Sequence, residues 1–208
     1  MKGPGQPTRI GVLGGTFDPV HNGHLYVANA LREALGLERI LWVPAGRPPH
    51  KAGQIVSSDR DRLAMLDLAL SGSAADQINT IDIERSGPSY TADTLEILAE
   101  CLAPARLFFL IGEDSLRDLP TWHDPERLLR AAELAVAARP GVDADLASIA
   151  RQIPSVQSRV HLVPTEEIAI SSSEIRRRVG EHQSIHGLVP APVEAYIRDR
   201  GLYTQQAP

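Results

Sequence analysis

The chain has 208 residues, 43% of them hydrophobic and 23% charged, a composition that suits one globular domain with a sizeable core. A formal net charge of -5 speaks against a general role in coating nucleic acid, yet it leaves room for a local basic pocket that takes a phosphorylated small molecule. The lone Cys101 excludes an intrachain disulfide, no apolar run approaches a membrane span, and the start MKGPGQPTR lacks a signal-type apolar segment, so a cytoplasmic protein is expected.

Residues 1–8, rich in Gly and Pro, read as a disordered leader. Residues 9–208 read as a single domain, with 170–208 as a helical C-terminal extension. Strands are expected at 9–13, 39–43, 79–83, 106–111, 134–138 and 160–163. Helices are expected at 25–35, 59–70, 92–102, 125–132, 145–152, 172–179 and 192–200. This alternation implies right-handed crossovers and an α/β fold: Rossmann-like, with a mainly parallel sheet and helices on both faces. The runs ILWV and RLFFLI are continuously apolar, as strands buried on both sides should be. Such sheets bind ligands beyond the carboxyl ends of their strands. The segments that follow strands, at 14–24, 44–51, 84–91, 112–122 and 170–176, are therefore expected to gather at one edge.

The first of these segments reads GGTFDPVHNGH. Gly14 and Gly15 lack Cβ atoms, which permits a sharp turn and a close approach of backbone N–H groups to a phosphate. This is neither a Walker A loop nor a GxGxxG fingerprint. His21 and His24 stand three apart, so at a helix entry they share one face and could donate to phosphate oxygens near the positive helix end. The plainer alternative is a capping His21 and a core His24. A metal site fits less well, because the spacing is not HExxH and no nearby carboxylate completes a ligand set. In ISSSEIRRR, residues 170–178, Ser171 and Glu174 have capping-box spacing. A capped helix start with Ser172, Ser173 and Arg176 beside it is also an anion site, whereas Arg177 and Arg178 read as a solvated face.

GGTFDPVHNGHL closely resembles the signature of the HxGH-type nucleotidyltransferases, a Rossmann-like superfamily of adenylyl and cytidylyl transferases, and ISSSEIR resembles that superfamily's C-terminal motif. The resemblance implies catalytic roles for His21, His24 and Arg176. It implies ATP contacts from Gly14, Gly15, Thr16, Phe17, Gly23, Gly112, Asp114, Ile170 and Ser172, with Ser172 and Arg176 on the β- and γ-phosphates. Further segments resemble bacterial nicotinate-mononucleotide adenylyltransferases: GRPPHK, ERSGPSYTADTL, IGEDSL with Trp122, and VPAPVEAYIRDRGLY. From these follow nicotinate mononucleotide contacts at Gly15, Lys51, Tyr90, Thr91, Trp122 and His123.

Each implied role has a physical counterpart and a plainer one. Lys51 would offer a point charge to the mononucleotide phosphate, or be a solvated lysine. Tyr90 and Thr91 open a helix whose free N–H groups suit a carboxylate, or Thr91 is only an N-cap. Trp122 would stack on the pyridine ring, or belong to the core. Asp114 would accept from a ribose hydroxyl, or cap the next helix. Arg47, Glu113, His123 and Ser173 depart from the usual family residues, and Arg47 and His123 bear on the pyridine side.

The implied reaction converts ATP and nicotinate mononucleotide to nicotinate adenine dinucleotide and pyrophosphate. The attacking phosphate is already ionised, so neither a general base nor a side-chain nucleophile is needed, and Mg²⁺ would ride mainly on ATP phosphates. No nucleic-acid or membrane partner is expected, and a homodimer is expected only by family analogy. Within the enzyme class the alternatives are an NMN-preferring or dual-specificity adenylyltransferase, or a phosphopantetheine adenylyltransferase, which typically has threonine where this chain has His21. Outside it stand a nucleotide-binding regulator on a decayed catalytic fold and a zinc site on His182 and His186.

Overall fold

A computed structural model describes residues 7–46, 57–138, 145–166 and 168–204. Strand β1 (Arg9–Gly15) leads through α1 (Asn22–Leu35) to β2 (Arg39–Pro44), and α2 (Asp59–Leu70) leads to β3 (Asp76–Ile78). Helices α3 (Ile81–Glu84) and α4 (Thr91–Cys101) precede β4 (Arg106–Gly112). Then come α5 (Glu113–Asp118), a 3₁₀ turn at Leu119–Thr121, α6 (Pro125–Ala131) and β5 (Glu133–Ala138). Helices α7 (Leu146–Gln152) and α8 (Val156–Arg159) precede β6 (Val160–Pro164), and α9 (Ser172–Gly180) and α10 (Ala191–Asp199) follow it.

The six strands form one parallel sheet in the order β3-β2-β1-β4-β5-β6. This is the doubly wound order of a Rossmann-like sheet, as the alternation of patterns implied. Successive side chains of each strand feed opposite layers. Ile10, Val12, Leu41, Val43, Phe109 and Ile111 pack with Leu95 and Leu98 of α4 and Leu128 and Leu129 of α6. Leu13, Ile40, Trp42, Phe108 and Leu110 pack with α1, α2 and α10 through Leu31, Leu66 and Ile197. The C-terminal segment belongs to this second layer, burying Ile175, Ile185, Val189, Val193, Ile197 and Tyr203 in it. At roughly 1.5–3 kcal/mol for each fully buried aliphatic side chain, that anchorage is firm.

The third strand departs from the sequence expectation. It occupies Asp76–Ile78, and the expected run 79–83 turns instead into α3. The reason is local: the Asn79 side chain accepts from the Ile81 amide at 3.1 Å, an Asx-type turn that competes with the ladder. The short helices α5 and α8 were not anticipated either. Of the expected leader, residues 1–6 lie outside the described residues, while the Thr8 carbonyl already accepts from the Arg106 amide at 2.8 Å.

Candidate active site

The sheet reverses its winding between β1 and β4, and there the carboxyl ends of the strands open a crevice. Two cavities fill it. The first, about 390 Å³, is lined by Gly14, Gly15 and Thr16 after β1, by Tyr90 and Thr91 at the start of α4, and by Trp122 and His123. The second, about 280 Å³, is lined by His21, Gly23, His24, Gly112, Ile168 and Ile170. Gly14, Phe109, Ser115 and Trp122 line both, so the two chambers share a wall.

His21 is the N-cap of α1, and the helix starts by a reciprocal exchange. The Nδ1 atom of His21 accepts from the His24 amide at 3.4 Å, and the Nδ1 of His24 accepts from the His21 amide at 3.3 Å. The rings stack at 3.6 Å with 23° between their planes. Because each Nδ1 serves as an acceptor, each ring carries its proton on Nε2, the tautomer in which Nε2–H is the donor. Burial depresses the His21 pKa from 6.5 to about 4, so this imidazole is a neutral donor near pH 7. The capping alternative for His21 and the phosphate-facing one are thus compatible within a single ring. Gly23 suits the same geometry: a Cβ there would lie 3.1 Å from His21 Nδ1 and 3.2 Å from Cε1, close enough that the imidazole would have to shift.

The C-terminal motif meets this loop directly. Arg176 Nη1 donates to the Asp18 carbonyl at 2.8 Å, and Ser172 Oγ donates to the Pro19 carbonyl at 2.9 Å. Arg176 Nη2 donates to Ser173 Oγ at 3.3 Å, while its buried Nε makes no hydrogen bond. Ser171 Oγ accepts from the Glu174 amide at 3.2 Å as a helix cap, and Glu174 pairs with Arg177 and Arg178 on the outer face. Two segments some 150 residues apart therefore close around one turn, residues 16–21.

A family model described as cytidylyltransferase-like matches residues 12–178. Among relatives, the "Probable nicotinate-nucleotide adenylyltransferase" of Thermomicrobium roseum is 50% identical over 196 residues, covering 94% of this chain and 92% of its own. The protein so described in Dehalococcoides mccartyi is 40% identical over 200 residues, covering 95% and 98%. The chain belongs to the nicotinate-nucleotide adenylyltransferases of the cytidylyltransferase-like family. The same fold is seen in the Plasmodium falciparum nicotinic acid mononucleotide adenylyltransferase complexed with NaAD, with a TM-score of 0.76 at 22% identity over 95% of this chain and 98% of that one.

Within this adenylyltransferase scaffold, not every side chain that the motifs nominated reaches a cavity. The Phe17 ring is buried, wedged between His24 at 5.2 Å and Trp42 at 5.5 Å, so it supports the histidines and lines neither chamber. The Asp114 carboxylate, 75% exposed, pairs with Arg117 at 3.1 Å and also lines neither. Helix α5 begins at Glu113, and its turn presents Ser115 and Asp118 to the crevice instead. Tyr90 is the N-cap of α4 and no side chain caps that helix, so Thr91 is its first residue rather than its cap. The rings of Tyr90 and His123 stack at 4.1 Å beside Trp122. Lys51 and Arg47 lie outside the described residues. Among the described residues no three His, Cys, Asp or Glu side chains gather as a metal site, and no helix is long and apolar enough to cross a membrane.

Sequence reasoning missed several members of the site. Phe109 floors both chambers, but inside RLFFLI it reads as core. Asp82 lines the first chamber, and burial raises its pKa although it accepts from Thr94 Oγ1 at 2.5 Å. Its only sequence signal was position, within a run expected as strand that forms α3 instead. Arg62, fully buried on α2, donates to the Thr16 carbonyl at 2.7 Å and to Asp59 at 2.6 Å.

Proposed function

We propose that this chain transfers the adenylyl group of ATP to nicotinate mononucleotide, forming nicotinate adenine dinucleotide and releasing pyrophosphate. The observation that carries the reading is the paired imidazoles, stacked with Nδ1 accepting and the proton on Nε2, at the end of a turn whose backbone carbonyls Arg176 and Ser172 hold. An oxygen of the mononucleotide phosphate attacks the α-phosphorus, and the bond from that phosphorus to the α–β bridging oxygen breaks. The leaving group departs as pyrophosphate, and no proton has to be taken from the nucleophile. What the protein supplies is alignment of two polyanions and preorganised donors where charge builds.

ATP occupies the second chamber in this reading, with the adenosine between Gly112 and Ile170 and the phosphates over Gly14 and Gly23, reaching toward Gly15 and Thr16 where the first chamber begins. His21 and His24 donate to the α- and β-phosphates, and Ser172 and Arg176 hold the β/γ end. Mg²⁺ would come with ATP, coordinated by the triphosphate oxygens, and as part of the substrate would offset their charge. The mononucleotide occupies the first chamber, with Trp122 and His123 against the pyridine ring; the family resemblance assigns its phosphate to Lys51, outside the described residues. The uncapped α4 start at Tyr90 and Thr91 offers backbone N–H groups to the nicotinate carboxylate. Cytoplasmic location and a homodimer complete the reading by family analogy.

One observation favours an amide-accepting variant of the same reaction. Asp82 lines the pyridine chamber, and its carboxylate, although it accepts from Thr94 and pairs with Arg85, makes an amide NH₂ a better neighbour there than a second carboxylate. Pyrophosphate release with ATP against nicotinate, nicotinamide and pantetheine phosphates, run in parallel, tests the assignment; the largest kcat/KM is expected with nicotinate mononucleotide. In the same assay His24→Ala is expected to lower kcat by about 10²–10³-fold with the fold retained. A near-normal kcat in that folded variant would remove the centre of the mechanism.

A further inference from the structure

The turn that carries the histidines is also held from behind, by side chains that contribute nothing to either chamber. Asp18 is 1% exposed, and its carboxylate is shared out among groups from distant segments. Tyr203 Oη donates to Asp18 Oδ1 at 2.7 Å, and the Ser57 amide donates to Oδ2 at 3.3 Å. Ser57 Oγ in turn donates to Tyr203 Oη at 3.0 Å. The Asp18 carbonyl meanwhile receives Arg176 Nη1, so one residue joins the guanidinium of the triphosphate grip to the end of the chain.

Tyr203 pays for this placement. Its φ of 64° lies in the left-handed region, which a bulky side chain adopts only where its surroundings impose it. Its ring is buried against Met65 in the second core layer, and burial together with the Asp18 charge holds the phenol protonated, its pKa raised well beyond the usual range. A phenol that never ionises is a permanent donor to Asp18.

We infer that Tyr203 is a positioning residue for the triphosphate grip: through Asp18 it fixes the turn on which Arg176 and the two histidines converge. The inference rests on the adenylyl-transfer reading. Its consequence is selective, because the network's hydrogen bonds meet the turn at Asp18, and none of Asp18, Ser57, Tyr203 and Arg176 lines the pyridine chamber. Loosening it should weaken handling of ATP and leave handling of the mononucleotide alone.

The test pairs two variants that each delete one phenolic oxygen from the same C-terminal segment. Tyr203→Phe keeps the buried ring and removes the bond to Asp18. Tyr196→Phe removes the bond from Tyr196 Oη to Asp61 at 2.9 Å, which ties α10 to α2 without touching the turn. Steady-state kinetics with each substrate varied in turn, together with Tm, are measured for both. Tyr203→Phe is expected to lower kcat/KM for ATP about tenfold and leave KM for the mononucleotide within about twofold. Tyr196→Phe is expected to leave both within about twofold at a comparable fall in Tm. Asp18→Asn, which sets an NH₂ where the carboxylate accepted two donors, is expected to reproduce the ATP-selective loss. Unchanged ATP kinetics in Tyr203→Phe, or losses in the two Tyr→Phe variants that follow Tm alike for both substrates, would overturn the inference. Wild-type protein run alongside separates the two readings: no pyrophosphate release there strikes the adenylyl-transfer reading itself. Calorimetric titration with a non-hydrolysable ATP analogue then still reports whether Tyr203→Phe weakens the grip.

Discussion

Gly23→Ala adds a single methyl group, and the structure specifies what it meets. The new Cβ would stand 3.1 Å from His21 Nδ1 and 3.2 Å from Cε1, inside ordinary van der Waals distance, so the imidazole must yield by a few tenths of an ångström. It has little room to do so, because His24 is stacked on it at 3.6 Å. The Nδ1 bond from the His24 amide, already 3.4 Å, would be the first to open. Losing a cap of this kind costs about 1 kcal/mol, while replacing glycine by alanine in a helical turn returns up to about 1 kcal/mol. Stability should therefore stay within about 1 kcal/mol of the parent. Activity should not, since Nε2 moves with its ring and alignment errors of this order cost about 10- to 100-fold in kcat. The assay is pyrophosphate release at saturating ATP beside a urea melt of the same preparation. A folded Gly23→Ala protein with kcat within twofold of the parent would refute the claim that this glycine exists to seat His21.

Stability should carry the signature of the buried imidazole. The unfolded chain protonates His21 near pH 6.5 while the folded chain resists until about pH 4, so stability is full above the first value and declines as pH falls toward the second. Between pH 7 and pH 5 this amounts to about 2 kcal/mol, and urea unfolding of His21→Gln at both values should lack that increment relative to the parent. Arg62→Met strands the Thr16 carbonyl and is expected to cost about 2–3 kcal/mol in the same measurement, with a fall in kcat because the turn at 16–21 loses its floor. Trp122→Ala removes the wall common to both chambers, so KM should rise about 5- to 10-fold for ATP and mononucleotide together; a change confined to one substrate would contradict the shared wall.

The strands whose apolar runs are unbroken, β1, β2, β4 and β5, stand where their composition put them, because burial on both faces leaves no other use for ILWV or RLFFLI. Edge strand β3 was misplaced by three residues, since a half-exposed strand carries little hydrophobic pattern and an asparagine turn outcompeted the ladder. The chemistry-bearing segments were legible for a related reason. Glycines beside paired histidines, and serines before an arginine at a helix start, are local arrangements, and the right-handed crossover rule carries all of them to one edge.

What no local pattern encodes is which side chain faces which. The outward turn of Asp114 and the entry of Ser115 depend on the rotation of α5 relative to the sheet. Arg62 and Tyr203 reach the turn from positions 46 and 185 residues away from their partners. Those contacts arise only once α2 and the C-terminal segment have packed against one sheet face. Periodicity and motif thus determined the scaffold and the candidate groups of the site, because both are set by neighbours within a few residues. Packing decided how those groups are aimed, because aim depends on distances between elements that the chain order leaves free.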